Sequence, residues 1–262
     1  MIDKLLFVCI NYNNEEEVKK YLENIKKTIK NPKEIIVVNN SLTKNLDKIL
    51  NIEGLIINIF TPYNNLGYLN GLFYGINEYK KSKELPQWII LSNSDIEIKK
   101  FEFKEKNYSS DIYCIAPEIF SVFNKNYQNP FYKFRLQKKK IERIIMVKRF
   151  FLLDIIYEKL SQIKNKISSL NCTNSSYIYA PHGSFFLLRK DFFLIKEQKY
   201  FNLLYGEELF IAEELRKLNK KVYFDKKLKI NHLEHSTTGL IKRKTKNKIL
   251  IESLYQILKK YY

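Results

Sequence analysis

Four short polar clusters in this chain combine residue types that can hold ions, phosphates or protons. Ser92-Asn93-Ser94-Asp95 ends an apolar run from Trp88 to Leu91. A carboxylate at the mouth of a buried strand can hold a hard divalent cation beside a diphosphate, because Mg²⁺ takes one or two protein carboxylates and completes its shell with phosphate oxygens and water. Asp95 is the ligand in this reading, and Asn93 is placed for ribose or for the metal's water shell. The same residue types also suit a turn or a helix cap. In Tyr205-Gly206-Glu207-Glu208, two acids precede the apolar face of a helix. One of them can act as a general base if burial and its neighbour raise its pKa, although the helix dipole alone also favours acids there. His232, with Glu234, His235 and Ser236-Thr237-Thr238-Gly239, gathers two of the three histidines. An imidazole can complete the shell of a cation such as Mn²⁺. Asn65-Leu66-Gly67-Tyr68-Leu69-Asn70-Gly71 leads into a helix. Its glycines allow close backbone approach, and a helix N-terminus attracts phosphate. It carries neither the Walker lysine pattern nor a full GxGxxG.

The elements that must position these clusters alternate in type. Short apolar runs ended by Asn or Ser predict strands over Leu5 to Ile10, Glu34 to Val38, Leu55 to Phe60 and Trp88 to Leu91. Helical spacing covers Glu15 to Lys30, with acids first and lysines last, and Leu72 to Tyr79. Such alternation predicts a mostly parallel sheet with helices on both faces, which binds ligands beyond the carboxyl ends of its strands. Ile112 to Ala116 is a further strand. Phe120 to Leu170 carries twelve Lys and Arg against three acids, interleaved with apolar residues, and reads as a basic amphipathic helical insertion. Strands are then expected at Tyr177 to Ala180, Phe185 to Leu188, Val222 to Phe224 and Lys229 to His232. A helix is expected at Phe210 to Leu218, and a basic amphipathic helix at Lys242 to Tyr262.

Composition limits the class of protein. The chain has 262 residues, 45% hydrophobic, enough for one large α/β domain. A net charge of +18 favours polyanions such as nucleic acid, anionic membrane or phosphorylated small molecules. The three cysteines, Cys9, Cys114 and Cys172, are far apart and form no CxxC, so they read as reduced and cytoplasmic, without a zinc site. No signal peptide is expected, and no apolar run approaches the ~18 residues of a membrane span.

Taken in order, these clusters resemble those of family 2 glycosyltransferases, and among them bacterial rhamnosyltransferase-like members. Val8-Cys9-Ile10-Asn11-Tyr12-Asn13 is similar to the family's opening strand and loop, and Ile36-Val37-Val38-Asn39-Asn40-Ser41 to its nucleotide-contacting segment. Asn64 through Ile76 resembles the Gly-rich loop and helix. Leu91-Ser92-Asn93-Ser94-Asp95 stands for the metal-binding Asp-x-Asp. His182-Gly183-Ser184-Phe185-Phe186-Leu187-Leu188-Arg189 resembles the strand that closes the sugar pocket, Tyr205-Gly206-Glu207-Glu208 the base-bearing Glu-Asp, and His232 to Ser236 the late His-x-x-x-Ser. Asn39 and Glu208 each stand where the family has aspartate. The basic insertion has no counterpart in the pattern.

The resemblance implies a GT-A (Rossmann-like) α/β fold with a mostly parallel central sheet flanked by helices. It implies a nucleotide-sugar-binding half over 1–120, the helical insertion over 121–176, an acceptor-binding and catalytic half over 177–240, and a C-terminal helix over 241–262. It further implies inverting transfer from a nucleoside-diphosphate sugar to a glycan or lipid-linked acceptor in bacterial surface polysaccharide synthesis. The divalent cation, Mn or Mg, would sit on Asp95 and His232. Glu208, or failing that Glu207, would be the base. Tyr12, Asn39, Asn65, Gly67, Asn70, Asn93, Ser94 and Gly183 would contact the donor. The basic insertion and tail fit either the inner face of an anionic membrane or a hairpin packed on the core or on a twin subunit in a homodimer. Rival readings are a nucleic-acid binder, disfavoured because no known motif gathers the basic residues, and a non-catalytic nucleotide-sugar- or polyanion-binding protein.

Overall fold

The computed structural model describes residues 4–30, 33–41, 46, 50–170, 174–195, 198–234 and 242–262; the side chains of 33 and 161–170 are excluded from the description. Cys172, His235 and the Ser236–Gly239 motif lie outside the described residues.

Ten described strands form one sheet. The first half is wholly parallel: β1 (Leu5–Asn11) lies between β2 (Lys33–Asn39) and β4 (Trp88–Ser92), and β3 (Ile56–Phe60) extends it beyond β2. Beyond β4 the order is β9 (Phe185–Arg189), β6 (Ile112–Ser121), β10 (Lys221–His232) and β5 (Ile96–Phe101). β9 runs antiparallel to both β4 and β6, while β10 is parallel to β6. The short β7 (Asn126–Tyr127) and β8 (Ser176–Ile178) attach to β6 and β10.

The central strands are buried on both faces, and this explains their unbroken apolar runs. Two side-chain layers result. On one face Leu6, Val8, Ile36 and Val38 pack with α2 (Tyr68–Lys80) and α6 (Glu207–Lys217). On the other, Phe7, Cys9, Ile35 and Val37 pack with Val18, Tyr21, Leu22 and Ile25 of α1 (Glu15–Thr28). Cys9 and Cys114 are buried free thiols. A helix of this size without caps needs that burial, since few isolated helices hold in water.

Several elements depart from the sequence reading. α2 starts at Tyr68, earlier than Leu72, because Gly67 turns the chain with φ 75° and the Tyr68 N–H donates to the Leu203 carbonyl. The stretch expected to be helical from Phe120 instead continues β6 to Ser121 and adds β7; helix begins only at α3 (Lys138–Arg149) and α4 (Phe151–Leu170). The two strands expected at Val222 and Lys229 are one strand, β10, whose register shifts between Asp225 and Lys229. Asp225 holds that irregularity by accepting from the Tyr108 hydroxyl at 2.6 Å and the Lys227 N–H at 2.8 Å. β5 was not expected at all. Two short helical pieces, α5 (Asp191–Leu194) and a 3-10 turn at Glu105–Asn107, complete the chain up to α7 (Arg243–Tyr261). No helix among the described residues is long and apolar enough to cross a membrane.

Candidate active site

β4 and β10 both end on one side of the sheet, and their last residues meet there. Asp95 follows β4 and is 1% exposed; His232 ends β10 and is 7% exposed. The His232 Nε2 lies 3.3 Å from Asp95 Oδ1. The Asp95 carbonyl accepts from the Leu233 N–H at 2.9 Å, which pins the two strand ends together.

The tautomer of His232 follows from its surroundings. The Glu234 carboxylate can only accept, so the amide nitrogen of Gln128 must face it, and Nε2 of Gln128 does donate to Glu234. The Gln128 Oε1 then accepts from His232 Nδ1–H at 2.8 Å. Nε2 of His232 then faces Asp95. Two lone-pair donors held 3.3 Å apart suit adjacent corners of one cation's shell, where bonds of about 2.1 Å at right angles separate ligands by about 3 Å. A histidine fixed through its far nitrogen is the usual arrangement of a metal ligand. The donor set therefore fits a divalent cation. Among the described residues no group of three or more His, Cys, Asp and Glu is arranged to hold a metal; Asp95 and His232 are the described pair that could. Substrate oxygens and water would supply the rest.

The acid pair sits at the N-terminus of α6. Tyr205 and Gly206 take left-handed backbone, φ 65° and 88°, and turn the chain sharply into that helix. For a tyrosine this conformation is costly, and it persists only where neighbours enforce it. The enforcers are the Tyr200 hydroxyl, which donates to the Tyr205 carbonyl, and Ser253 of α7, which donates to the Leu204 carbonyl at 3.1 Å. Glu207 is 6% exposed and Glu208 half-buried. Burial raises both carboxyl pKa values, and the charge of Glu208 raises Glu207 further. The Glu208 carboxylate accepts from the Gly183 N–H, and a Cβ placed on Gly183 would stand 3.0 Å from Glu208 Oε1.

Tyr68 and His182 join the two halves. The Tyr68 hydroxyl donates to the Gly183 carbonyl at 2.8 Å. Burial first, then Glu207, Tyr21, Asp95 and Glu208, holds that phenol protonated. The His182 ring stands 5.7 Å from the His232 ring, centroid to centroid, and its Nδ1 lies 2.9 Å from Ser184 Oγ. Burial and His232 push the His182 pKa down to about 3, against an opposing effect of Asp95, so the ring is neutral. Tyr68 thus links the two pairs: Asp95, Glu207 and Glu208 all act on its phenol, while its hydroxyl bonds Gly183 and Asp95 meets His232.

The other expected residues divide into two groups. Tyr12 is 40% exposed at the end of β1, Asn93 is half-buried, and Ser94 Oγ accepts from Asn14 at 2.6 Å. These rim the same end of the sheet. Asn39, Asn65, Gly67 and Asn70 shape the backbone. Asn39 is 2% exposed, and its Oδ1 accepts from Asn11 at 3.1 Å and from the Ser41 N–H at 3.2 Å. Asn65 caps its own loop through the Gly67 N–H. Asn70 receives the Tyr200 N–H and donates to the Tyr200 carbonyl, fixing the loop that carries Tyr205. A side chain at Gly67 would strike the Leu203 backbone at 2.1 Å. Sequence reasoning missed Gln128, Tyr68 and His182 as site residues. His182 had a signal, being one of only three histidines; Gln128 had none.

No protein-family model matches the chain, and no curated protein matches it. Solved structures do share its fold. GalNAc-T7 with UDP, GalNAc and Mn²⁺ superposes with a TM-score of 0.60 at 13% identity, over 98% of this chain and 47% of that one. S. aureus TarS 1-349 gives 0.55 at 13%, over 88% and 60%. The mannosyltransferase PcManGT from Pyrobaculum calidifontis, in complex with GDP-Man and Mn²⁺, gives 0.55 at 8%, over 97% and 68%. The chain spans about half the length of the GalNAc-T7 chain and three-fifths of the TarS chain. The class this defines is the GT-A fold of glycosyltransferases, a mixed α/β sheet flanked by helices.

Proposed function

We propose that this chain is an inverting, metal-dependent glycosyltransferase that moves a sugar from a nucleoside-diphosphate donor to a hydroxyl of a glycan or lipid-linked acceptor, in bacterial surface polysaccharide synthesis. The observation that carries the reading is the meeting of Asp95 and His232, 3.3 Å apart, with the Glu207–Glu208 pair across Gly183 and Tyr68. The presence of Mn²⁺ with UDP in GalNAc-T7 and with GDP-Man in PcManGT supports it.

In this reading residues 1–120 hold the donor, with Tyr12, Asn93 and Ser94 facing the nucleoside and its phosphates. Asn39, Asn65, Gly67 and Asn70 keep the loops around it in place. Asp95 and His232 would hold the cation, which would supply positive charge against the departing diphosphate. Glu208 accepts the proton of the acceptor hydroxyl as that oxygen attacks the anomeric carbon opposite the leaving group. A single displacement inverts the configuration. The two adjacent acids share one negative charge, because ionising both in a buried site is costly. The more exposed Glu208 carries it, and Glu207 stays protonated. A carboxylate with a raised pKa is a better base near neutral pH. This coupled pair favours an enzyme over a non-catalytic nucleotide-sugar-binding protein, which has no use for a proton acceptor.

The test is a thermal-shift screen of uridine, thymidine and guanosine diphosphates and their sugars, with and without Mn²⁺. One nucleotide should stabilise the wild type more with Mn²⁺ than without. Asp95→Asn should lose the Mn²⁺-dependent part and keep the rest. An undiminished Mn²⁺ effect in Asp95→Asn would overturn the metal assignment.

A further inference from the structure

The amphipathic order of α4 is reversed. A helix on the surface of a water-soluble domain turns its apolar stripe inward and its charges outward. In α4 the acids point inward: Asp154 is fully buried and Glu158 half-buried. Lys148 Nζ lies 2.6 Å from Asp154, Arg243 donates to both acids, and Asn247 donates to Asp154 at 2.7 Å. The opposite side presents Phe151, Leu152, Ile156 and Leu160, each 54–72% exposed, with Phe150 adjoining them at the corner and Met146 also exposed in the last turn of α3. An apolar ridge of this extent marks an interaction surface.

The charges around the ridge indicate what it meets. Lys139, Lys140, Arg143, Arg149 and Lys159 are exposed on the same two helices, against one exposed acid, Glu142. Of the acids of α4 that could have balanced them, Asp154 is buried, and both it and Glu158 are paired with Lys148 and Arg243. Apolar side chains flanked by cations match a lipid surface with anionic headgroups, where the ridge enters the acyl boundary and the cations meet phosphate. We propose that the α3–α4 corner docks this protein on an anionic membrane surface.

The position of the corner suits the site. Tyr157 of α4 packs on the main core, and Tyr132 lies within the influence of both Glu208 and Tyr157. Tyr132 therefore stands between the docking helix and Glu208 of the acid pair. If the transferase reading is right, this would bring the acid pair to an acceptor at the lipid surface; the docking itself does not rest on that reading.

Flotation of the full chain with phosphatidylcholine vesicles, with and without phosphatidylglycerol, tests the proposal without any sugar donor. The wild type should float with anionic vesicles and be released by high salt. Lys139→Glu with Arg143→Glu should weaken binding at least about tenfold. Phe151→Ser with Leu152→Ser, both at exposed positions, should abolish it while leaving the melting temperature unchanged. No flotation on anionic vesicles, or flotation that the serine pair leaves intact, would overturn the proposal. So would a wild-type dimer, seen by ultracentrifugation, that the serine pair makes monomeric, since the ridge would then be covered by a second copy. Loss of nucleotide binding, by contrast, would sink only the transferase reading.

Discussion

Replacing Gly183 with alanine tests the position of Glu208 with a single methyl group. The added Cβ would stand 3.0 Å from Oε1, 3.5 Å from Cδ and 3.7 Å from Cγ of Glu208. The backbone of Gly183 is not left-handed, so alanine fits it without strain. The carboxylate has to retreat by about 0.4 Å to reach ordinary contact in a close-packed site. A misplacement of about 1 Å costs roughly 100-fold in rate, so roughly half of that on a logarithmic scale, about tenfold, is expected here. That corresponds to about 1.4 kcal/mol of barrier. The assay is release of nucleoside diphosphate at saturating donor and acceptor, with a melting curve run alongside. The expected result is kcat lowered about tenfold, donor KM within about twofold of wild type, and an unchanged melting temperature. A folded variant with wild-type kcat would refute the idea that Glu208 must sit against Gly183 to act.

Two further outcomes follow from the charges. Burial and Glu208 raise the Glu207 pKa, so between the ordinary glutamate range and that raised value the folded state binds more protons than the unfolded. Stability should therefore fall as pH rises through that window, and Glu207→Gln should flatten the fall, melting higher than wild type at alkaline pH and about equally in acid. Asp154→Ala should strip Lys148 and Arg243 of their buried partner; Glu158 still faces both, so the loss should be about 2–3 kcal/mol, below the usual cost of breaking a buried pair. Scanning calorimetry should record a drop of roughly 5–10 °C. A smaller drop than for an exposed control would mean the inward acids of α4 do not anchor it.

The parallel half of the sheet was legible because β1, β2 and β4 are buried on both faces and end in Asn or Ser. Their apolar runs and polar stops appear directly in the sequence. β5 was harder: Ile96-Glu97-Ile98 alternates, but it follows Asp95 without a turn residue such as Gly or Pro, and its partner β10 is distant in the chain. The stretch 120–137 is misleading because lysines and aromatics mix there at no clear period; the tertiary pairing of β7 with β6 and of Tyr132 with Ala180 decides it. In the candidate site, the place of Asp95 at a strand end and of the Glu207–Glu208 pair at a helix start is legible, while the choice of Glu208 over Glu207 rests on the resemblance; the structure puts Asp95 just after β4 and the pair at the start of α6. The contact of Asp95 with His232 could not be read from spacing, because 136 residues separate them. Asn70 was read as a ligand contact, while its amide is spent on the backbone of Tyr200. A short amide side chain in a loop suits both uses, and only the partner tells them apart. The reversed face of α4 was also hidden, since a basic amphipathic pattern does not say which side faces the core.

Consumption of a nucleotide sugar measures the central claim most directly. The wild type, given UDP-, dTDP- and GDP-sugars with Mn²⁺, should turn over one of them, with nucleoside diphosphate and a sugar product of inverted configuration detected by mass spectrometry and NMR. Glu208→Gln should bind the same donor with unchanged affinity and consume it at least about 1,000-fold more slowly. Equal consumption by Glu208→Gln and wild type, or a product of retained configuration, would contradict the account.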